Sequence, residues 1–403
     1  MNDRRTALIQ LGAASLIGTV TGLVVLALEH LVDDVLHEIF EAPVWVPAAT
    51  VVVGTIVAAV LVQTLGGRSS STTEVYVEEF HEEQPTIEPR HAPGRLAAAF
   101  STLASGAPLG MEGPAVYTGA AVATLLRRRF PTLAAEAHNV LLIAGAAAGV
   151  AAVFKAPVAG AIFALEVPYR SRLAGERVLP AVFGAATGYL TLAAVDGVKP
   201  ELALPPVELT YGRVLLAVAL GVIVGVAAIG VIKLVSLGEH LYGRGPAWLR
   251  VVLSGGVLAG LYALGRGLTG ESLALASGNN VIEWAIKPDH AVGVLIAVFA
   301  IRAVGPAASI AGGGVGGLFI PLMASGAVIG RLFADAANTE ELALFVIVGA
   351  ASMLGAGYAA PLTAVVFIAE YTGQAAVIVP GLLAVTVVRV VVGARSVSPA
   401  QHP

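Results

Sequence analysis

Residues 110–114, Gly-Met-Glu-Gly-Pro, set one carboxylate between glycines and ahead of a proline, with no other charge between Arg95 and Arg127. An ionised side chain inside an apolar run is costly, and a chain normally excludes it unless it is used. A related stretch, "SIAGGGVGGLFIP" (309–321), has a flexible glycine run followed by proline and a helix-compatible segment. Proline belongs in the first turn of a helix, and glycines just before it let the backbone turn toward a ligand. Both stretches therefore read as helix N-termini that begin inside an apolar layer. Such an end offers unpaired N–H groups and the positive end of the macrodipole, which suit an anion without a full positive charge. A lysine or arginine at that depth would hold an anion too tightly to release it. Glu112 is itself an anion, so it can occupy the site a passing anion would use. Deprotonated it competes, and protonated it vacates. Burial disfavours its charged form and the amides favour it, so titration within the physiological range is expected. The plainer alternative is a glutamate that packs at a helix end for stability alone. The second stretch has Phe319 and no carboxylate.

The elements that must position these residues are membrane helices. The 403-residue chain is 57% hydrophobic and only 12% charged, with a mean hydropathy of +0.85. Soluble domains carry about twice that charge fraction. Apolar runs recur near residues 6–31, 45–65, 95–126, 139–166, 177–195, 212–236, 247–265, 291–333 and 342–394. Each is long enough to approach the ~30 Å of a bilayer, and the last two are too long for one crossing. The fold class is an all-α polytopic membrane protein. The 47 glycines and 22 prolines fit close helix packing and broken helices lining a cavity. There are no cysteines, which excludes disulfides, thiolate metal sites and cysteine nucleophiles. No cleavable secretory signal is read at the start, and no soluble regulatory domain is expected at either end. Arg4-Arg5 and Arg127-Arg128-Arg129 suggest cytoplasmic flanks. The longest polar segment, 66–94, is expected outside the hydrocarbon.

The chain also compares with itself. "GAAAGVAAVFKAPVAGAIFALE" (145–166) aligns without gaps to "GAASMLGAGYAAPLTAVVFIAE" (349–370), matching Gly145/Gly349, Pro157/Pro361, Phe163/Phe367 and Glu166/Glu370. "GMEGPAVYTGAA" (110–121) aligns to "GLFIPLMASGAV" (317–328), matching Gly110/Gly317, Pro114/Pro321 and Gly119/Gly326. Two halves, 1–205 and 206–403, each with a Gly/Pro-interrupted helix, point to a transport site at the repeat interface. Together they form one transmembrane domain.

In this order the motifs resemble the CLC family of chloride channels and anion/proton antiporters, over roughly residues 66–400. The resemblance implies an inverted repeat of tilted and broken helices, and a homodimer with one anion pathway per subunit. It implies that Glu112 is the gating glutamate and that the amides of Leu318 and Phe319 line the central anion site. Gly110, Met111, Gly113, Gly317 and Ile320 join them as anion-binding backbone. The central serine falls on Ser70, with Ser71 as near competitor. Three positions depart from the family pattern. Met111 stands where a basic residue is usual, Val397 or Ser398 where a pore tyrosine is usual, and Val167 where many antiporters carry an inner proton-accepting glutamate. Val167 and the missing hydroxyl favour leak over strict exchange. The expected function is therefore transport of a small halide, chloride first, with weak or absent proton coupling. The alternative is a proton-coupled antiporter, including a fluoride/proton exporter, which Met111 and the missing tyrosine also suit. A bacterial cytoplasmic membrane is the expected location.

Other residue groups carry less. His81, Glu82, Glu83 and His91 keep no metal-ligand spacing and read as a solvated loop face. Glu166 and Glu370 end apolar runs and read as helix-end residues rather than proton carriers. Asn279 and Asn280 are expected to satisfy backbone groups. The glycine run at 312–317 lacks the acidic partner of a dinucleotide fingerprint. No protease-type constellation lies in the apolar runs. Neither enzyme activity, a cofactor, a metal nor a nucleic-acid partner is expected. A cation- or proton-coupled carrier of another type would place carboxylates in both halves.

Overall fold

The computed structural model describes residues 2–65, 72–82, 87–130, 138–204 and 207–402. Ser70, Ser71, Glu83 and the expected half-boundary at 205–206 lie outside these residues. The described chain is all-α. Its first eight helices are α1 (Asn2–Glu41), α2 (Trp45–Thr64), α3 (Thr73–His81), α4 (Ala92–Ala104), α5 (Glu112–Arg129), α6 (His138–Phe154), α7 (Pro157–Glu166) and α8 (Val178–Asp196). Eight more follow: α9 (Tyr211–Tyr242), α10 (Ala247–Thr269), α11 (Asn279–Ile286), α12 (Val292–Gly312), α13 (Phe319–Ala336), α14 (Leu342–Tyr358), α15 (Pro361–Thr372) and α16 (Ile378–Val392). Eight helices among the described residues are long and apolar enough to cross a membrane.

The run 291–333 divides into α12 and α13, and 342–394 into α14, α15 and α16. The run 95–126 divides at the helix start expected near Gly110–Pro114, and 139–166, read from sequence as a single stretch, also divides. The first breaks between α4 and α5, and the second between α6 and α7. The cause is local, and it occurs twice. Gly106 and Gly313, 207 positions apart, have φ of 90° and 91°, a left-handed turn that glycine adopts without steric penalty. At each break the next N–H turns back: Ala107 to the Thr102 carbonyl at 3.2 Å, Gly314 to the Ser309 carbonyl at 2.8 Å. Lys155 and Ala359, 204 apart, both have φ of 53°. Each precedes an Ala-Pro pair whose proline opens the next helix, where a missing N–H is no loss.

The same offsets govern packing. A Cβ at Gly119 would lie 1.9 Å from the Gly145 carbonyl oxygen, and one at Gly326 would lie 2.2 Å from that of Gly349. Bare backbones thus touch between α5 and α6 and again between α13 and α14, the small-residue contact that membrane helices use. The two copies run in opposite directions. The end of α5 reaches the α3 side, where Arg128 donates to the Ile87 carbonyl at 3.1 Å. Beyond α13, Glu341 pairs with Arg213 at 3.2 Å, at the start of α9. That 32-residue helix spans about 48 Å before it returns to the α3 side at Tyr242.

Glu166 and Glu370 cap each other's helices. The Glu166 carboxylate accepts from the N–H groups of Leu362 (3.0 Å) and Thr363 (2.8 Å) and from the Thr363 hydroxyl (2.7 Å). Glu370 accepts from the N–H groups of Val158 (3.1 Å) and Ala159 (2.7 Å). Each carboxylate satisfies the orphan donors at the first turn of the opposite helix. Deleting an acceptor leaves such donors unpaired, worth about 1–3 kcal/mol. Glu166→Ala and Glu370→Ala are therefore expected to lower the thermal stability of detergent-purified protein, Glu166→Ala more, while leaving the pH dependence of transport unchanged. Loss of that pH dependence at full stability would instead make either residue a proton carrier.

Candidate functional site

The two helix breaks meet back to back. Gly110 donates to the Gly317 carbonyl at 2.9 Å, and Gly317 donates to the Gly110 carbonyl at 2.7 Å. This reciprocal pair joins the segments that lead into α5 and α13, so their N-termini converge. Glu112, the first residue of α5, crosses to the other half, where its Oε1 accepts from the N–H of Phe319. Its Oε2 has no hydrogen-bond partner among the described residues, and the side chain is 1% exposed. Both glycines are needed to admit it. A Cβ at Gly110 would lie 2.0 Å from Oε2, and one at Gly317 would lie 2.3 Å from Oε1.

The sequence-predicted residues assemble here. Gly110, Met111, Gly113, Gly317, Leu318, Phe319 and Ile320 all lie on the two converging segments. Met111 is half-buried, while Leu318, Phe319 and Ile320 are buried. The Phe319 ring is sheathed by Phe154, Phe163 and Phe367, with centroids 5.0, 5.8 and 4.7 Å away. This aromatic sleeve keeps the N-terminus of α13 apolar on its flank. Asn280 donates to the Ser272 carbonyl at 3.4 Å, as expected of it. Asn279 instead accepts from the Tyr371 hydroxyl at 2.9 Å.

Two cavities flank the carboxylate, and Glu112 lines neither. One, of about 370 Å³, is bounded by Thr72, Thr73, Glu74, Glu78, Glu239, Tyr242, Gly316, Gly317, Leu318, Tyr358 and Val397. The other, of about 120 Å³, is bounded by Met111, Phe154, Ile320 and Asn279 together with the carboxylates Glu29, Asp33 and Glu201. The first lies on the arginine-rich side, reached by the ends of α5 and α9.

Three residues in the larger cavity were not singled out by sequence reasoning. Thr72 precedes α3 and is 2% exposed, with an unpartnered hydroxyl. That hydroxyl presses on the α5 backbone, since a Cβ at Gly113 would lie 2.2 Å from it. The run "SSSTTE" offers five adjacent hydroxyls and no internal register, so sequence could not select among them. Tyr358 ends α14, and its hydroxyl accepts from the Leu318 N–H at 3.3 Å. It was hidden in the motif "GAGYAAP", which reads as packing. Glu74 was passed over as part of a solvated polar segment.

The C-terminal segment closes this cavity without a tyrosine. Val397 donates to the Gly357 carbonyl at 2.7 Å and lines the cavity. Ser398 is 1% exposed, and its hydroxyl lies beside the Glu74 carboxylate. The Gln401 side chain donates to the carbonyls of Val167 (2.8 Å) and Tyr358 (2.7 Å). The His402 ring stacks on His81 with centroids 3.6 Å apart. Val167 is fully buried.

Comparison with known proteins agrees with this geometry. The family model described as voltage gated chloride channel matches residues 49–393. The H(+)/Cl(-) exchange transporter ClcA of Salmonella typhi is 30% identical over 414 residues, covering 95% of this chain and 85% of that protein. The transporter of the same name from Citrobacter koseri is 30% identical, covering 94% and 84%. Among solved structures, a slow cyanobacterial Cl-/H+ antiporter superposes with a TM-score of 0.85 at 22% identity, covering 95% of this chain and 94% of its own. A CLC-type fluoride/proton antiporter gives 0.85 at 22% identity, covering 98% of each chain. With the family model spanning most of its length and its relatives being transporters, this chain is a membrane-integral anion transporter of the CLC family.

Proposed function

We propose that the protein exchanges a small halide, chloride first, for protons, with Glu112 as the gate that couples the two. The observation that carries this reading is the seat of the Glu112 carboxylate on the Phe319 N–H, the donor a halide would need. Carboxylate and halide exclude each other there. A halide that enters must take the Phe319 N–H from Glu112, and the carboxylate that gives it up takes up a proton. Glu112 is buried between two separate cavities, and the described residues leave no standing passage for leak between them. On these grounds coupled exchange is preferred to the leak expected from Val167 and the missing tyrosine. The names of the ClcA relatives, H(+)/Cl(-) exchange transporters, support the same direction.

In this reading the anion lies against the backbone of Gly110, Met111 and Gly113 on one segment and of Gly317, Leu318, Phe319 and Ile320 on the other, where the Gly110 and Gly317 N–H groups hold each other and the Phe319 N–H is the donor it takes from Glu112. Hydroxyls come from Thr72 and Tyr358 on the inner side, in place of the tail positions Val397 and Ser398. Fluoride is the second reading. Met111 in place of a basic residue, and an inner mouth built from hydroxyls, suit the halide most dependent on hydrogen-bond donors. The fold shared with a fluoride/proton antiporter allows it.

The cavity lined by Thr72 and Tyr358 is taken as cytoplasmic. Arg127, Arg128 and Arg129 end α5 there, and Arg389 reaches the Arg170 carbonyl on the same side. Asp33, Asp196 and Glu201 gather at the other end of α1. An excess of arginine marks the cytoplasmic face. A bacterial cytoplasmic membrane, half-repeats at 1–205 and 206–403, and a homodimer with one pathway per subunit complete the proposal.

In liposomes, Glu112→Gln mimics the protonated gate and should keep anion flux while abolishing proton movement and pH dependence. Complete loss of anion flux in folded protein would remove Glu112 from the gate. Tyr358→Phe should change the fluoride-to-chloride flux ratio several-fold with coupling reduced, read with paired halide and pH electrodes; an unchanged ratio would remove the hydroxyl from the anion's path. In linked dimers with one Glu112→Gln subunit, the two pathways should behave independently, and a single blended behaviour would count against one pathway per subunit.

A further inference from the structure

Coupled exchange requires a proton to leave Glu112 toward the cytoplasm, and the side chain expected to receive it is a buried valine, Val167. The cytoplasmic cavity holds an alternative. We propose that Glu74 is the inner proton acceptor of this transporter, linked to Glu112 through the Tyr358 hydroxyl and the water that fills the cavity. This inference rests on the exchange reading above.

The placement comes from three elements. Glu74, in the first turn of α3, lines the same cavity as Tyr358, Gly317 and Leu318, which carry the pathway backbone. The Tyr358 hydroxyl lies within electrostatic reach of both Glu112 and Glu74. It accepts from the Leu318 N–H, so its own proton points to other acceptors, with the Thr73 hydroxyl beside it. The cavity of about 370 Å³ exceeds the roughly 30 Å³ share of one water many times over. Thr72 and Thr73, 2% and 7% exposed, bring two buried hydroxyls to its wall, that of Thr73 beside the Tyr358 hydroxyl and that of Thr72 with no partner among the described residues. A hydroxyl in that last state calls for water at hydrogen-bonding distance.

Glu74 also has the environment of a group that exchanges protons. It takes the Ala400 N–H at 3.2 Å and lies beside the Ser398 hydroxyl, and no cation pairs with it among the described residues. Facing it across the cavity are Glu78 on its own helix, Glu239 and Tyr242 on α9, and Tyr358 on α14. Burial first, then the neighbouring carboxylates Glu239 and Glu78, push the Glu74 carboxyl up to about 7. It therefore takes up a proton as the pH falls through neutrality. The transfer is a plain exchange. The Glu112 carboxylic acid loses its proton and becomes a carboxylate, the Tyr358 hydroxyl and water pass the proton along, and the Glu74 carboxylate becomes the acid. Release to the cytoplasm restores it.

The test uses full-length protein in liposomes, with an imposed chloride or fluoride gradient and simultaneous halide and pH electrodes. Glu74→Gln should retain halide flux within about threefold of wild type and lose halide-driven proton movement. Glu74→Asp should restore proton movement, and Glu239→Gln should keep it. A Glu74→Gln protein that still drives protons uphill overturns the assignment, as does one that loses halide flux while retaining its oligomeric state in detergent. Wild-type protein that moves no protons under the same gradient overturns the exchange reading itself, and this inference with it.

Discussion

Everything at the membrane centre depends on two glycines that hydrogen-bond to each other. A broken helix in hydrocarbon exposes backbone groups that no solvent can satisfy. Gly110 and Gly317 solve this by each donating to the other's carbonyl, and so fix the distance between the two half-helices. The neighbouring donor at Phe319 is then free for an anionic partner. Any side chain at either glycine would occupy the volume of the Glu112 carboxylate. One requirement therefore decides the residue type at 110 and 317, the meeting of α5 with α13, and the seat of the Glu112 carboxylate.

Around this axis the fold is symmetric in its backbone and asymmetric in its chemistry. The left-handed turns at 106/313 and 155/359, the glycine contacts of 119 with 145 and of 326 with 349, and the mutual caps of Glu166 and Glu370 all occur in pairs. The carboxylate does not: Glu112 in one half answers to Phe319 in the other. Thr102 breaks the pairing too, since its hydroxyl accepts from the Val315 N–H at 3.0 Å and ties the turns of the two halves together. Symmetry supplies two converging amide sets, and the departures from it give the pathway a direction.

Much of this was legible because the offsets of 204 and 207 are carried by glycine and proline, whose backbone roles are narrow. Glu112 stood out because a charge inside an apolar run demands a reason. The turn at Gly106 and the break within 139–166 were less visible, since Gly106 and Lys155 look unremarkable among small residues and only the left-handed turns reveal them. Thr72 was lost in a run of hydroxyls with no register. Tyr358 and Glu74 were hidden for another reason: each acquires meaning only from residues far away in sequence, Leu318 in one case and the cavity beside Tyr358 in the other. Long-range placement of a single side chain leaves no periodic trace.

The opposed course of α5 and α13 has an electrical consequence. Both helices present their positive ends to the centre, where their fields add on an anion. Along the membrane normal the two macrodipoles point opposite ways and largely cancel. A transmembrane voltage, worth about 2.3 kcal/mol per elementary charge per 100 mV, therefore does little net work on this scaffold. It acts instead on the transported anion, and, in the proposed exchange, on the proton and on the charge of Glu112. The helices make the centre attractive to anions of either origin without themselves becoming a voltage sensor.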